Sequence, residues 1–214
     1  VLLVAGRGEL PFALLHGQPL YVHALAALVA VDGRSAADVV VVVEAADEVA
    51  VTRELSRRGL PARVLTEAEW WAGVRAAPGG EVLLHDPLCP LASTEWLASV
   101  REVARAEPGA SVASYRPVTD TVKTVVDSRI GATIDREGLA AIVAPVVVAG
   151  RALADPPVEV PPLHDLGSVV GWLRSRGPVV MHRAPSLARR VEDASAVNLL
   201  ECVDELNRRV RHDA

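Results

Sequence analysis

Five consecutive valines, Val39–Val43, constrain this chain more than any other stretch, because a β-branched run with no polar face has to be a strand covered on both sides. Around it, short apolar runs alternate with stretches at helical spacing, the rhythm of a parallel sheet with crossover helices. Val1 to Ala5 reads as a first buried strand, and Leu20, Ala24, Ala27, Leu28 and Val31 then share one helical face. Residues 47 to 58 read as a polar-faced helix. Ala62 to Leu65, Glu81 to His85 and Ala110 to Tyr115 read as further strands, with Trp96, Val100 and Val103 marking the helix between the last two. Leu166, Val169, Val170 and Leu173 predict one more helix, Val179 to His182 one more strand, and Leu199, Val203, Leu206 and Val210 the last helix. The expected fold class is α/β, a mostly parallel sheet with helices on both faces.

The rhythm breaks between Arg116 and Val148, where Pro117, Asp127, Gly131 and Gly138 punctuate short β-prone pieces such as Thr121 to Val126. An antiparallel hairpin or arm fits this segment better than another crossover. Residues 155 to 162 hold four prolines, too many for a helix or an inner strand, and predict a connecting loop. With 214 residues, half of them hydrophobic, the chain supports one core, so residues 1–214 are expected to form a single domain. The apolar runs fall far short of the roughly 20 residues needed to cross a bilayer, which argues against a membrane protein. Cys89 and Cys202 lie far apart without metal spacing, as expected of structural cysteines in a reducing, cytoplasmic setting. A net charge of −5 with scattered basic residues lacks the footprint of a nucleic-acid binder. Arg208, Arg209 and Arg211 read as cations at a helix C-terminus. Lys123 is the sole lysine, and Met181 the sole methionine, so the chain is expected to start inside its gene product.

Three places can carry chemistry. Ala5-Gly6-Arg7-Gly8 directly follows the first strand, where glycines let backbone N–H groups approach a phosphate; a plain strand-to-loop turn is the alternative. Leu10-Pro11-Phe12 intervenes before any helix, against a nicotinamide-type fingerprint. His85-Asp86-Pro87 puts Asp86 at the carboxyl end of a parallel strand, where ligands of open α/β sheets sit. That carboxylate suits either a divalent cation on nucleotide phosphates or a cap for the turn. His85 reads as a packed edge residue. Trp70-Trp71 offers aromatic faces, and adjacent helical residues diverge by about 100°, so one is expected to face the core and the other a partner surface.

Pro117-Val118-Thr119-Asp120-Thr121-Val122-Lys123, followed by Thr133-Ile134-Asp135-Arg136-Glu137-Gly138-Leu139, resembles the paired arm motifs of the 2-C-methyl-D-erythritol 4-phosphate cytidylyltransferase family. Ala5-Gly6-Arg7-Gly8 is similar to that family's nucleotide loop, Gly17-Gln18-Pro19-Leu20 to its following helix start, and His85-Asp86 to its metal-binding aspartate segment. The resemblance implies a Rossmann-like nucleotidyltransferase fold and an arm, residues 116–148, that swaps across a homodimer. It implies CTP and a polyol phosphate as ligands, Mg²⁺ at Asp86 if the protein is active, and Thr121 and Arg136 of the partner subunit on the substrate phosphate.

The departures from the family pattern fall on cations. Leu10 stands near the family's loop arginine and Phe12 after Pro11 where it has a lysine. Asn198 or a neighbour stands for a second lysine before the last helix, Cys89 for an arginine, and Ala144 for a threonine. The segment from Leu65 to Arg75 lacks the Gly-rich and serine-bearing stretch that binds cytosine and ribose. A transition state that gathers negative charge on phosphoryl oxygens depends on cations. The expectation is therefore a homodimeric member, impaired or inactive as a cytidylyltransferase. Its rivals are a noncatalytic sugar- or polyol-phosphate binder and a different nucleotidyltransferase using Arg7 and Asp86.

Overall fold

In this computed structural model, which describes residues 1–33, 35–154 and 160–212, the valine run becomes the centre of one half of the sheet. The chain runs β1 (Leu2–Leu3), β2 (Leu14–Leu15), β3 (Gln18–Pro19), α1 (Leu20–Ala30), β4 (Val40–Val43), α2 (Glu48–Arg57), β5 (Arg63–Thr66) and α3 (Glu67–Ala76). It continues with β6 (Val82–Leu84), α4 (Thr94–Ala106), β7 (Ser111–Pro117), β8 (Val122–Val126), β9 (Arg129–Ile134) and β10 (Ala140–Val148). α5 (Leu166–Arg176), β11 (Val179–Arg183) and α6 (Ala194–His212) complete it.

β4 lies between β1 and β5, parallel to both, and Val41, Val42 and Val43 are fully buried, as an all-apolar strand requires. The other half has the order β11-β7-β10-β6. A parallel bridge from Leu2 to His85 joins the halves, with Leu3 N–H donating to the His85 carbonyl at 2.9 Å. Within the two halves of the main sheet every neighbouring pair is parallel except those involving β10, which runs antiparallel to both β6 and β7; the small β2–β3 and β8–β9 hairpins are antiparallel too. The mostly parallel α/β sheet expected from the sequence is therefore what forms.

Local chemistry sets the helix starts. Thr66 and Glu69 form a reciprocal capping box that turns β5 straight into α3, Ser93 caps α4, and Asp165 accepts from the Gly167 and Ser168 amides to open α5. Among the described residues no helix is long and apolar enough to cross a membrane. Residues 155–159 of the expected proline loop lie outside the described residues.

Three expectations change. Both Trp70 and Trp71 are buried in the main core: the rings meet edge to face at 4.5 Å, and Trp71 also packs on Trp172 of α5 at 6.2 Å. The projecting segment is shorter than 116–148. Val143 to Val148 are buried strand in the main sheet, and only the β8–β9 hairpin with its flanks stands out. Finally, Leu199, Val203 and Leu206, the stripe that identifies α6, are exposed; Val197 and Leu200 of the same helix pack instead with Leu15, Leu20, Leu88 and Val191.

Candidate functional site

β1 ends in the turn Ala5-Gly6-Arg7-Gly8, and β6, its neighbour through the Leu2–His85 bridge, ends in His85-Asp86, so the topology brings both sequence-predicted segments to one edge of the sheet. They meet directly. Arg7 Nε donates to Asp86 Oδ1 at 2.7 Å and Nη2 to Oδ2 at 2.8 Å, while Nη1 donates to the Ala5 carbonyl at 3.2 Å. Both side chains of this bidentate pair are only 1% exposed.

Two more donors converge on the same carboxylate: the Leu88 amide on Oδ1 at 2.9 Å and Arg190 Nε on Oδ2 at 3.2 Å. Burial by itself would raise the Asp86 carboxyl, but the hydrogen bonds and charge of Arg7, the Leu88 amide and the charge of Arg190 outweigh it and hold the group below its ordinary value. Asp86 is therefore an ionised acceptor, solvated by protein donors alone, with two cations around it.

One backbone group of the exposed part of the loop is engaged as well. The Gly6 amide donates to Glu44 Oε1 at 2.8 Å, so a carboxylate from the end of β4 already holds the N–H that a phosphate would need. Gly6 has φ +73, and a Cβ there would lie 2.6 Å from the His164 ring, so only glycine lets His164 lie against the turn.

A divalent cation at Asp86 does not fit this arrangement. Four donors engage the two carboxylate oxygens, which is their whole complement of lone-pair sites, and three of them come from two guanidinium groups, whose charge repels a metal. Among the described residues no group of three or more His, Cys, Asp or Glu could hold one either. The turn-capping reading of Asp86, through Leu88, is the one the geometry satisfies.

The residues that flank Asp86 along the chain are buried with it. His85 is fully buried with neither ring nitrogen hydrogen-bonded, and burial pushes its pKa down to about 4 against the opposing charge of Asp86. Cys89 is buried too, its thiol pushed up to about 12 by burial and by the Asp86 charge, which makes it a poor nucleophile. Ala144 is packed beside it, and its peptide bond to Pro145 is cis.

The resemblance sets Asn198 or a neighbour, not a lysine, where the family has a lysine before the last helix, but α6 starts at Ala194, so Asn198 lies inside it. The cation at the site is Arg190. Its signal was an Arg189-Arg190 pair just upstream of Asp193, whose Oδ1 accepts from the Ala196 amide at 2.8 Å as the start of α6. Glu44 and His164 were also missed, and nothing in their local sequence marks them.

The arm residues sit apart from this cluster. β8 and β9 pair Val122 with Ile134, which brings Thr121 and Arg136 to the base of the hairpin, both exposed. Arg136 Nη1 donates to the Thr119 carbonyl at 2.5 Å, so its fork is partly turned onto its own arm. A cavity of about 300 Å³ lies beside it, between Tyr115, Val118, Arg136 and Arg183. Another, of about 420 Å³, separates the arm base at Arg116 and Asp120 from Arg189, Arg190 and Glu192.

The family model described as 2-C-methyl-D-erythritol 4-phosphate cytidylyltransferase matches residues 9–155. The chain is 35% identical over 170 residues to the bifunctional enzyme IspD/IspF of Solidesulfovibrio magneticus, covering 68% of this chain and 41% of that protein. It is 40% identical over 70 residues to 2-C-methyl-D-erythritol 4-phosphate cytidylyltransferase of Bacillus licheniformis, covering 32% of this chain and 29% of that one. The matched segments thus span less than half the length of these curated relatives. The crystal structure of the 2-C-methyl-D-erythritol 4-phosphate cytidylyltransferase from Thermus thermophilus superposes with a TM-score of 0.70 at 21% identity, over 96% of this chain and 98% of that one. At that identity the superposition speaks for the nucleotidyltransferase fold.

Proposed function

This chain belongs to the 2-C-methyl-D-erythritol 4-phosphate cytidylyltransferase family, and from that membership we propose that it is a catalytically impaired member working as a cytoplasmic homodimer. The family reaction that the resemblance implies has the phosphate of methylerythritol phosphate attack the α-phosphate of CTP, with pyrophosphate leaving. Charge builds on phosphoryl oxygens along that path, and cations aimed at them supply most of the acceleration.

One observation carries the reading: Arg7, the cation of the nucleotide loop, is buried in a bidentate pair with Asp86. Arg190 also bonds Asp86, and the sole lysine, Lys123, lies on the arm. Glu44 adds negative charge where a triphosphate would seat. Losing one such cation typically slows a reaction about 10²–10³-fold, and the deficits here are several.

The test is pyrophosphate release with CTP, methylerythritol phosphate and Mg²⁺, alongside calorimetric titration of CTP. Turnover at the level of the uncatalysed reaction and weak CTP binding are expected. Glu44→Gln, which removes the carboxylate charge from the loop, should tighten CTP binding a few-fold. Robust turnover that Asp86→Ala abolishes in a folded protein would sink the proposal.

A second reading, a noncatalytic homodimer that binds a sugar or polyol phosphate, is favoured by the exposed Thr121 and Arg136 at the arm base. It predicts modest, salt-sensitive phosphate binding from a charge-assisted hydrogen bond. Titration of polyol phosphate into wild type and Arg136→Ala decides it; identical isotherms would reduce the arm to a dimerisation device.

A further inference from the structure

The chain packs its apolar side chains into two separate cores. The main one runs through the sheet and takes in residues of α1 to α5, but among the described residues α6 gives it no side chain. The second core is small: Leu15, Leu20 and Leu88 on the body of the protein meet Val191, Val197 and Leu200 of the C-terminal segment. On its outer face α6 leaves Leu199 58% and Leu206 62% exposed.

Polar ties complete the attachment at both ends of that core. At one end the Val191 amide donates to the Leu88 carbonyl at 2.6 Å, beside Arg190 Nε on Asp86. At the other, the β2–β3 hairpin reaches across to α6. Its two-residue loop has positive φ at both positions, +49 at His16 and +73 at Gly17. The His16 amide donates to Glu201 Oε1 at 2.5 Å, and His16 Nε2 lies 3.0 Å from Asp204 Oδ2. Glu201 and Asp204 stand three residues apart, so one face of α6 presents both carboxylates to a single turn residue.

Three buried apolar side chains hold a segment far less firmly than the main core holds the sheet, and weakly packed units open without global unfolding. We propose that the segment from Arg190 through α6 is a strap that opens as one unit while the main sheet stays folded, with His16 as its clasp. Opening breaks the Leu88–Val191 bond and withdraws one of the two cations from Asp86, leaving the carboxylate with Arg7 and the Leu88 amide. The strap is a property of the fold, so it holds whether or not the chain transfers a cytidylyl group.

Native-state hydrogen exchange on the full chain tests it. The α6 amides from Leu200 to Val203 and the Val191 amide should share one protection factor, at least about 100-fold below that of β4, whose exchange requires global unfolding. Leu200→Ala should lower the strap's protection about tenfold or more, as truncation of a buried leucine does. Val197→Ala, a smaller truncation in the same core, replaces it if Leu200→Ala fails to fold. His16→Asn keeps a residue that tolerates the left-handed turn and should lower the strap's protection about threefold, as loss of one hydrogen bond requires. The protection of β4 should not fall selectively in any of them. Equal protection of α6 and β4 in wild type overturns the proposal, as does a Val191 amide that fails to follow α6 in the variants. So does α6 protection that climbs to that of β4 as protein concentration rises, which would make the helix part of an interface instead.

Discussion

The Gly-rich loop and the β-arm both offer backbone and cations at the end of a strand, yet the chain completes only the first of them by itself. At the loop, Arg7, Asp86, Leu88, Arg190, Gly6 and Glu44 satisfy one another, and Arg7 and Asp86 are nearly inaccessible. On the arm, Val125, Val126 and Ile130 are exposed, Ile130 at 76%, and the hairpin pairs only with itself. A polar network buried in a low-dielectric site is stable only when it is fully matched, which is why the Arg7–Asp86 pair is closed off. An exposed apolar hairpin lacks that closure within one subunit, and a second copy of the chain is the proposed complement.

The sharpest way to break this contrast is Arg7→Ala. It leaves Asp86 buried with only Leu88 and Arg190, and should cost about 3–5 kcal/mol of folding stability, since a buried charge loses its main partner. Replacing both, as Arg7→Met with Asp86→Leu, should recover most of that loss. Urea denaturation measures each variant, and a loss below about 1 kcal/mol for Arg7→Ala would mean the loop is not the closed unit described.

Next in size is a pH effect next to the same carboxylate. The folded His85 has a pKa of about 4 against an ordinary 6.5, so the unfolded chain takes up its proton first as pH falls. The stability that His85 contributes is complete above pH 6.5 and is lost as pH drops towards 4, by roughly 3 kcal/mol in full. Asp86, depressed below its ordinary 3.8, loses its contribution only at more acid pH, so the two windows separate. Denaturation at pH 7 and pH 4.5 should show the decline in wild type and a flatter dependence in His85→Leu; equal slopes would assign the decline elsewhere.

The smallest effect belongs to the arm. Val126→Asp with Ile130→Asp should change the folding stability of a subunit by no more than about 0.5 kcal/mol, because both sites are exposed. The same pair should weaken the dimer by about 2 kcal/mol or more, roughly 30-fold in dissociation constant, if these side chains are its anchors. Light scattering across a concentration series reads the outcome, and a double variant that stays dimeric at wild-type concentrations would take the arm out of the interface.

Much of this molecule is written locally. Val39–Val43 can only be an inner strand, the helix starts follow from Thr66, Ser93 and Asp165, and the arm motifs place a hairpin where one forms. The strand-then-loop order also puts Gly6 and Asp86 on one edge, because parallel strands share their carboxyl ends. What periodicity leaves open is which neighbour covers an apolar face and which charge meets which. Trp70 and Trp71 are both buried because the main core takes up both rings, Trp71 against Trp172 of α5 and Trp70 against Trp71, and the α6 stripe stays exposed because Val197 and Leu200 face the core instead. The charged partners of Asp86 lie 79 and 104 residues away along the chain. Only the packed sheet brings Arg7 and Arg190 together there, since hydrogen-bond geometry is fixed within tenths of an ångström and sequence spacing says nothing at that scale.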